Sequence, residues 1–228
     1  MRKASSVLVA LCVAVGGVLA AGPAADAAPT ASAVARSWAA ADGRAEVRGL
    51  SAQAGTELQE QIDRQLATTR GGVQISANEV SYNGDPIVVF PLPGHTTAPA
   101  ASKAALKQQG VTAAQIQALS ESPAAATGGP DWHGCPAGKA DNRWYCFYED
   151  KDWRGRRLQW NNEHCSTPVH FSGYGFEGQT SSWVNTGALQ VNVYTSGGTG
   201  LWRELPGTMV SYVGDAMDNK AGYFYACK

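Results

Sequence analysis

Cys135, Cys146, Cys165 and Cys227 carry the most sharply defined chemistry in this chain. Four thiols can hold a structural zinc or pair as two disulfides. Zinc sites normally draw on closely spaced CxxC-type pairs, and the spacing here contains none. An even number of cysteines in an exported chain reads as a disulfide framework. Three pairings are open. A local Cys135–Cys146 bridge with a long Cys165–Cys227 closure is favoured, because the second ties the C-terminus back.

Other reactive side chains are present without a motif that dictates their geometry. Ser166, His133, His164 and His170, with Glu149, Glu163 or Asp215 as acids, could supply a nucleophile, a base and an orienting group. None lies in a nucleophile elbow or an HExxH helix, so an enzyme is not expected. A glycosidase needs two carboxyls across a cleft, whereas Glu149, Asp150 and Asp152 share one turn and read as solvated. Arg154, Arg156 and Arg157 cluster beside Trp153 and Trp160. They could contact an anionic polymer with the indoles on sugar faces, but the neighbouring acids favour surface ion pairs worth little each.

The compartment follows from the N-terminus. Arg2 and Lys3 precede an apolar run from Val7 to Ala21, and Ala25-Asp26-Ala27 offers a small-residue cleavage site. Residues 1–27 therefore read as a secretory signal peptide, too short in its apolar part to span a bilayer. Cys12 follows Leu11 inside that run, which argues against a lipid anchor. Removing the signal takes away Arg2, Lys3 and Asp26 and leaves 16 basic and 18 acidic residues, a formal charge of −2. No basic face invites nucleic acid, no later segment suits a membrane, and the expected product is a secreted, extracellular monomer.

The elements that must position these residues fall into two regions. Residues 28–121 read as an N-terminal pro-segment or accessory region. It starts Ala-rich, and Leu58, Ile62 and Leu66 then recur every four residues, which fits a short helix over 56–66 that Gly71-Gly72 stops. Val73-Gln-Ile75 and Ile87–Phe90 read as strands around the turn Asn83-Gly84-Asp85-Pro86, and a second helical piece spans 102–119 with a break near Gly110. A helix plus a hairpin is expected to be too small for a firm core. Residues 122–130, rich in Ala, Gly and Pro, form a linker.

Residues 131–228 hold all four mature cysteines and six of the seven tryptophans. Alternating aromatics place strands near 144–149, 156–160 and 180–184, and again near 189–194, 200–205 and 221–226. Each half has a Gly-containing loop and a Tyr/Trp-Gly element, Tyr174-Gly175 and then Tyr212-Val-Gly214. A repeat of about forty residues implies two Greek keys packed as a sandwich. The fold class is mainly β, preceded by a small α+β region.

The pattern Tyr148-Glu149-(x)3-Trp153-x-Gly155 resembles the Greek-key signature of βγ-crystallin domains. With its flanking cysteines, the module is similar to the secreted actinobacterial peptidase inhibitor family I36. The likeness spans about 131–228, with a well-matched first motif. The second, Val193–Trp202, lacks the acidic residue and Trp-x-Gly. The resemblance implies an inhibitor of secreted metalloproteinases that presents a rigid loop to the protease cleft, its partner being an extracellular protease. Disulfides would remove loop entropy otherwise lost on binding. Glu163, His164, Cys165 and Ser166 are the expected contact loop, since the stretch to Pro168 is polar and pinned by a half-cystine. The family carries no reactive-bond motif onto these positions.

The resemblance also implies calcium loops, with counterparts at Glu177–Ser182 and Asp218–Tyr223. Each has lost ligands, and the surviving hybrid site would be Ser181 with Asp218 and Asn219. Calcium takes six to eight oxygens, so such a site would be weak, about 10⁻⁴–10⁻³ M. No cofactor is required. The competing expectation is an extracellular structural or cell-surface binding module of βγ-crystallin type.

Overall fold

The structure, a computed structural model, describes residues 50–121, 131–137 and 143–228. The expected signal peptide and linker lie outside the described residues. Helix α1 (Ala52–Thr68) starts where the Ser51 hydroxyl accepts the Ala54 N–H at 3.2 Å. It buries Leu58, Ile62 and Gln65 along one face. Three strands follow, β1 (Gly72–Ser76), β2 (Glu79–Tyr82) and β3 (Ile87–Val89), then short helices α2 (Lys103–Gln108) and α3 (Ala113–Glu121). The break between these helices falls at Gly110, as its position suggests.

Eight strands make up the rest: β4 (Tyr145–Asp150), β5 (Arg154–Trp160), β6 (His164–His170), β7 (Ser182–Asn185), β8 (Gln190–Tyr194), β9 (Gly200–Glu204), β10 (Thr208–Val210) and β11 (Tyr223–Cys227). All eleven described strands form two sheets, ordered β1-β2-β3-β5-β4-β7-β10 and β6-β11-β8-β9. The third strand of each half crosses to the other: β6 pairs with β11, and β10 with β7. This exchange makes the two Greek keys one sandwich, with Tyr145, Phe147, Leu158, Trp160, Phe171, Val191, Val193 and Phe224 packed between the sheets.

The β4–β5 hairpin shows why the motif residues occur where they do. Asp152 and Trp153 both adopt left-handed backbone angles, φ 58° and 56°, a costly choice for residues with a Cβ. The loop holds them there: the Asp152 N–H donates to Ser211 O (2.7 Å) and the Trp153 N–H to Ser182 Oγ (3.1 Å). The indole of Trp153 stacks 3.7 Å from His133, and its Nε1–H donates to Trp183 O (3.3 Å). Gly155 has φ 73°, and a Cβ there would lie 2.8 Å from the Glu149 Cβ. Only glycine fits.

The N-terminal region does not need a core of its own. Strand β3 pairs with β5, Val88 opposite Leu158, and Leu58, Ile62, Val80, Tyr82, Val88 and Phe90 join the same buried cluster as Phe147 and Trp160. Backbone pairing across the β5 edge and a shared apolar interior supply what a lone helix and hairpin lack. The same packing corrects the expected Arg/Trp surface cluster. Arg157 and Trp160 are fully buried, and Arg156 reaches inward. Of the three arginines Arg154 is the exposed one, 4.0 Å from Asp152. Strand β5 is central, and from Leu158 to Trp160 as well as at Arg157 it is buried on both faces, so only its first residue, Arg154, is exposed.

Both expected disulfides are present, Cys135–Cys146 and Cys165–Cys227. The second closes a 62-residue separation, stabilising by about 4 kcal/mol in the loop-entropy model.

Glu204 is fully buried. Trp202 Nε1–H donates to one carboxyl oxygen at 3.0 Å, while the other has no partner. Burial raises its pKa well above the usual carboxyl value. Unfolded, it ionises near about 4.3, so above that pH the folded state holds the extra proton. Stability must then fall as pH rises from there toward the raised folded value, by up to about 1.4 kcal/mol per pH unit. Urea unfolding of the wild type and Glu204→Gln between acid and neutral pH should give a stability difference in favour of the variant that widens with pH. Parallel profiles would contradict this.

Candidate functional site

The segment expected as a contact loop is a strand. Glu163 precedes β6, and His164, Cys165 and Ser166 lie within it. The reason is the Greek-key crossing: β11 offers a free edge, and this polar run satisfies it. Its register sets His170 opposite Tyr223, Val169 opposite Phe224 and His164 opposite Ala226, with an irregularity between the last two. Strand β6 is the outermost of its sheet. Among the described residues its second side pairs with no strand, and Pro168, which has no N–H, is tolerated at such an edge.

Cys165, Ser166 and Thr167 are exposed, and the Cys165–Cys227 bridge fixes the strand to the C-terminus. Glu163 is partly exposed, with Oε2 3.9 Å from Arg143 Nη1. His164 does not reach outward: its Nε2 lies 3.1 Å from Asp85 Oδ2, in the turn between β2 and β3. The two expected contact side chains thus differ. Glu163 stands at the surface, and His164 ties the edge strand to the N-terminal hairpin.

Four of the groups considered for catalysis, His133, His170, Glu149 and Asp215, are engaged with other side chains. His133 stacks on Trp153, and burial lowers its pKa against the opposing pull of Asp131. His170 lies against Tyr223. Burial alone would raise the Glu149 carboxyl, but the Arg156 hydrogen bonds and charge, 2.9 Å away, together hold it below its ordinary value. Asp215 accepts the Tyr212 hydroxyl. Arg156 also donates to Gln65 Oε1 (2.5 Å), Gly175 O (3.2 Å) and Gln179 Oε1, and lies 4.9 Å from the Phe176 ring centre. It is a joint between α1 and the sandwich.

The loops named for calcium do come together. The Asn219 N–H donates to Thr180 O (3.3 Å), Gly178 N–H to Ala221 O (2.9 Å), and Val213 N–H to Ser181 O (2.9 Å). Asn219 has φ 56° and its amide donates to Asp218 Oδ2 (3.2 Å). Asp218 Oδ1 and Thr180 Oγ1 are buried oxygens without a hydrogen-bond partner, one from each loop. Buried polar atoms are rarely left so. Burial, and then the charges of Glu149 and Asp218, raise the nearby Asp150 carboxyl against Arg154. Hard oxygens of this kind suit calcium, so the residues present fit the ion in type. Thr180 was not among the expected ligands; its place in the loop between Glu177 and Ser182 was the available signal. Among the described residues no three His, Cys, Asp or Glu side chains gather as a metal site.

The chain is similar to several solved βγ-crystallin structures. One, from work on the evolution of the eye lens βγ-crystallin domain fold, is 12% identical, covers 40% of this chain and 92% of its own, and has a TM-score of 0.34. A clostrillin double mutant in complex with nickel is 18% identical over 38% of this chain and 99% of its own, with a TM-score of 0.31. A βγ-crystallin domain from Clostridium beijerinckii is 19% identical over 36% and 95%, with a TM-score of 0.30. No curated protein is a significant match. Residues 130–204, from the linker's last residue to the end of β9, match peptidase inhibitor family I36, the family that the first hairpin resembles.

Proposed function

We propose that this protein is a secreted peptidase inhibitor acting on extracellular metalloproteinases through Glu163 and the edge strand β6 that follows it. The family match at 130–204 carries the reading, and the contact segment lies inside it. Proteases bind substrates as extended strands, and an open edge offers that backbone shape already formed. The Cys165–Cys227 bridge and the β11 ladder hold β6 in place, so little chain entropy is lost on docking. The Glu163 carboxylate is the side chain on this segment placed to approach a protease zinc. The signal-peptide pattern of residues 1–27 and the two disulfides support export.

A second reading is calcium binding by Ser181, Asp218 and Asn219, with Thr180 added. The two unpartnered buried oxygens favour it. A bound ion would supply charge to neutralise Asp218 and lock the two loops together.

The disulfide-intact protein should inhibit a thermolysin-like protease competitively and stoichiometrically, and leave a serine protease untouched. Glu163→Ala should weaken inhibition by about 2–5 kcal/mol, tens- to thousands-fold, if the carboxylate is desolvated in the complex. The melting temperature should stay near that of the wild type. Lack of inhibition of any metalloproteinase at micromolar concentration would dismiss the reading. Inhibition that survives reduction and alkylation would dismiss the pinned strand.

Calcium should raise the melting temperature only near about 10⁻⁴–10⁻³ M, and Asp218→Ala should abolish the shift. A shift retained by that variant would rule the site out.

A further inference from the structure

The four-stranded sheet turns one face to the core and the other outward. Val191, Val193, Phe224 and Ala226 are buried, so alternation directs Gln190, Asn192, Tyr194, Tyr223 and Tyr225 outward. Tyr223 sits opposite Tyr194 on one side and His170 on the other. The Tyr194 and Tyr223 rings stack with centres 5.1 Å apart and planes 11° from parallel. Tyr225 stands edge-on to both, at 6.1 and 6.0 Å. Cross-strand aromatic pairs stabilise a sheet, and that explains one face of Tyr194.

The other face of Tyr194 turns toward β9, where its register partner is Gly200. Tyr194 is half-buried, and its ring leans toward Gly200. A Cβ on Gly200 would meet a single neighbour within 4 Å among the described residues, Tyr194 Cε1 at 3.9 Å, which leaves a gap above Gly200 beside the ring. Polar groups flank the gap along the same face. Asn192 Oδ1 accepts Gln190 Nε2–H (3.1 Å) and Arg203 Nε–H (3.2 Å), and Arg203 is exposed. The sole carboxylate on these four strands, Glu204, points into the core.

We propose that this face binds a saccharide, with a pyranose ring stacked on the open face of Tyr194 above Gly200. A pyranose has an apolar C–H face that suits an aromatic ring and equatorial hydroxyls that suit amides and a guanidinium. Tyrosine and arginine supply such contacts at low entropic cost. The charge balance agrees: an outward face with Arg203 and His170 and no acid accepts neutral or anionic sugars and offers nothing to a basic peptide. The gap lies two strands away from β6, so this site is independent of the inhibitory edge.

The test uses the disulfide-intact chain with three soluble probes, cellohexaose (neutral), chitohexaose (N-acetylated) and hexagalacturonate (anionic), followed by titration calorimetry. At least one should bind. Tyr194→Ala should weaken it by about tenfold or more. Gly200→Thr fills the gap at an ordinary contact distance, suits a strand, and should block binding while leaving the melting temperature and protease inhibition unchanged. Arg154→Ala, on the opposite sheet, should have no effect. Lack of binding of all three probes at millimolar concentration would overturn the proposal, as would binding that Gly200→Thr does not reduce. Protease inhibition lost in Gly200→Thr without any saccharide binding would assign the face to a protein partner and overturn it equally.

Discussion

The pairing of β3 with β5 is the contact on which the rest of the molecule depends. It converts a four-stranded sheet into a seven-stranded one and lets Leu58 and Ile62 of α1 enter one interior with Phe90 and Phe176. Without it, β5 would be an open edge, and Leu58, Ile62 and Val80 would have no interior to enter. Two arginines depend on the same contact. Arg157 is buried with its Nη1–H on Ala98 O (3.2 Å), and Arg156 bridges Glu149 to Gln65. A buried guanidinium is tolerable only while such acceptors surround it. Loss of the N-terminal strands would strip the acceptor at Ala98 and expose apolar surface together.

The two sheets differ in how their edges are managed. The N-terminal strands cover β5, while β6 stays open and is braced by a disulfide. An uncovered edge strand is a liability in most proteins because it invites pairing. In the proposed inhibitory role that same property would serve docking to a protease cleft. The His164–Asp85 contact links the open edge to the β2–β3 turn, so the N-terminal region also steadies the segment proposed to face the protease.

Much of this was legible in the sequence for physical reasons. Period-two aromatics announced β4, β5, β8 and β11, and the spacing of Leu58, Ile62 and Leu66 announced α1. Of the three cysteine pairings that the sequence left open, the one favoured for tying back the C-terminus is present. Strand β6 was not legible, because an edge strand needs no apolar face: His164-Cys-Ser-Thr-Pro168 reads as a loop. Strand β10 has three residues and too short a pattern. The β3–β5 pairing joins segments some seventy residues apart, and no local periodicity records such a contact. The buried arginines were misread for the same reason. Acids lie close by in sequence, and Arg156 does pair with Glu149, but Gln65 and Ala98, which hold Arg156 and Arg157 inward, come from the N-terminal region.

Hydrogen exchange of the full chain, followed by mass spectrometry, tests the shared sheet most directly. If β3 and β5 belong to one cooperative unit, their ladder amides should open with the same free energy as those of β4 and respond alike to low urea. Amides of β3 that exchange orders of magnitude faster than those of β5, while β5 stays protected, would show a Greek-key sandwich that stands without its N-terminal strands and would contradict the account.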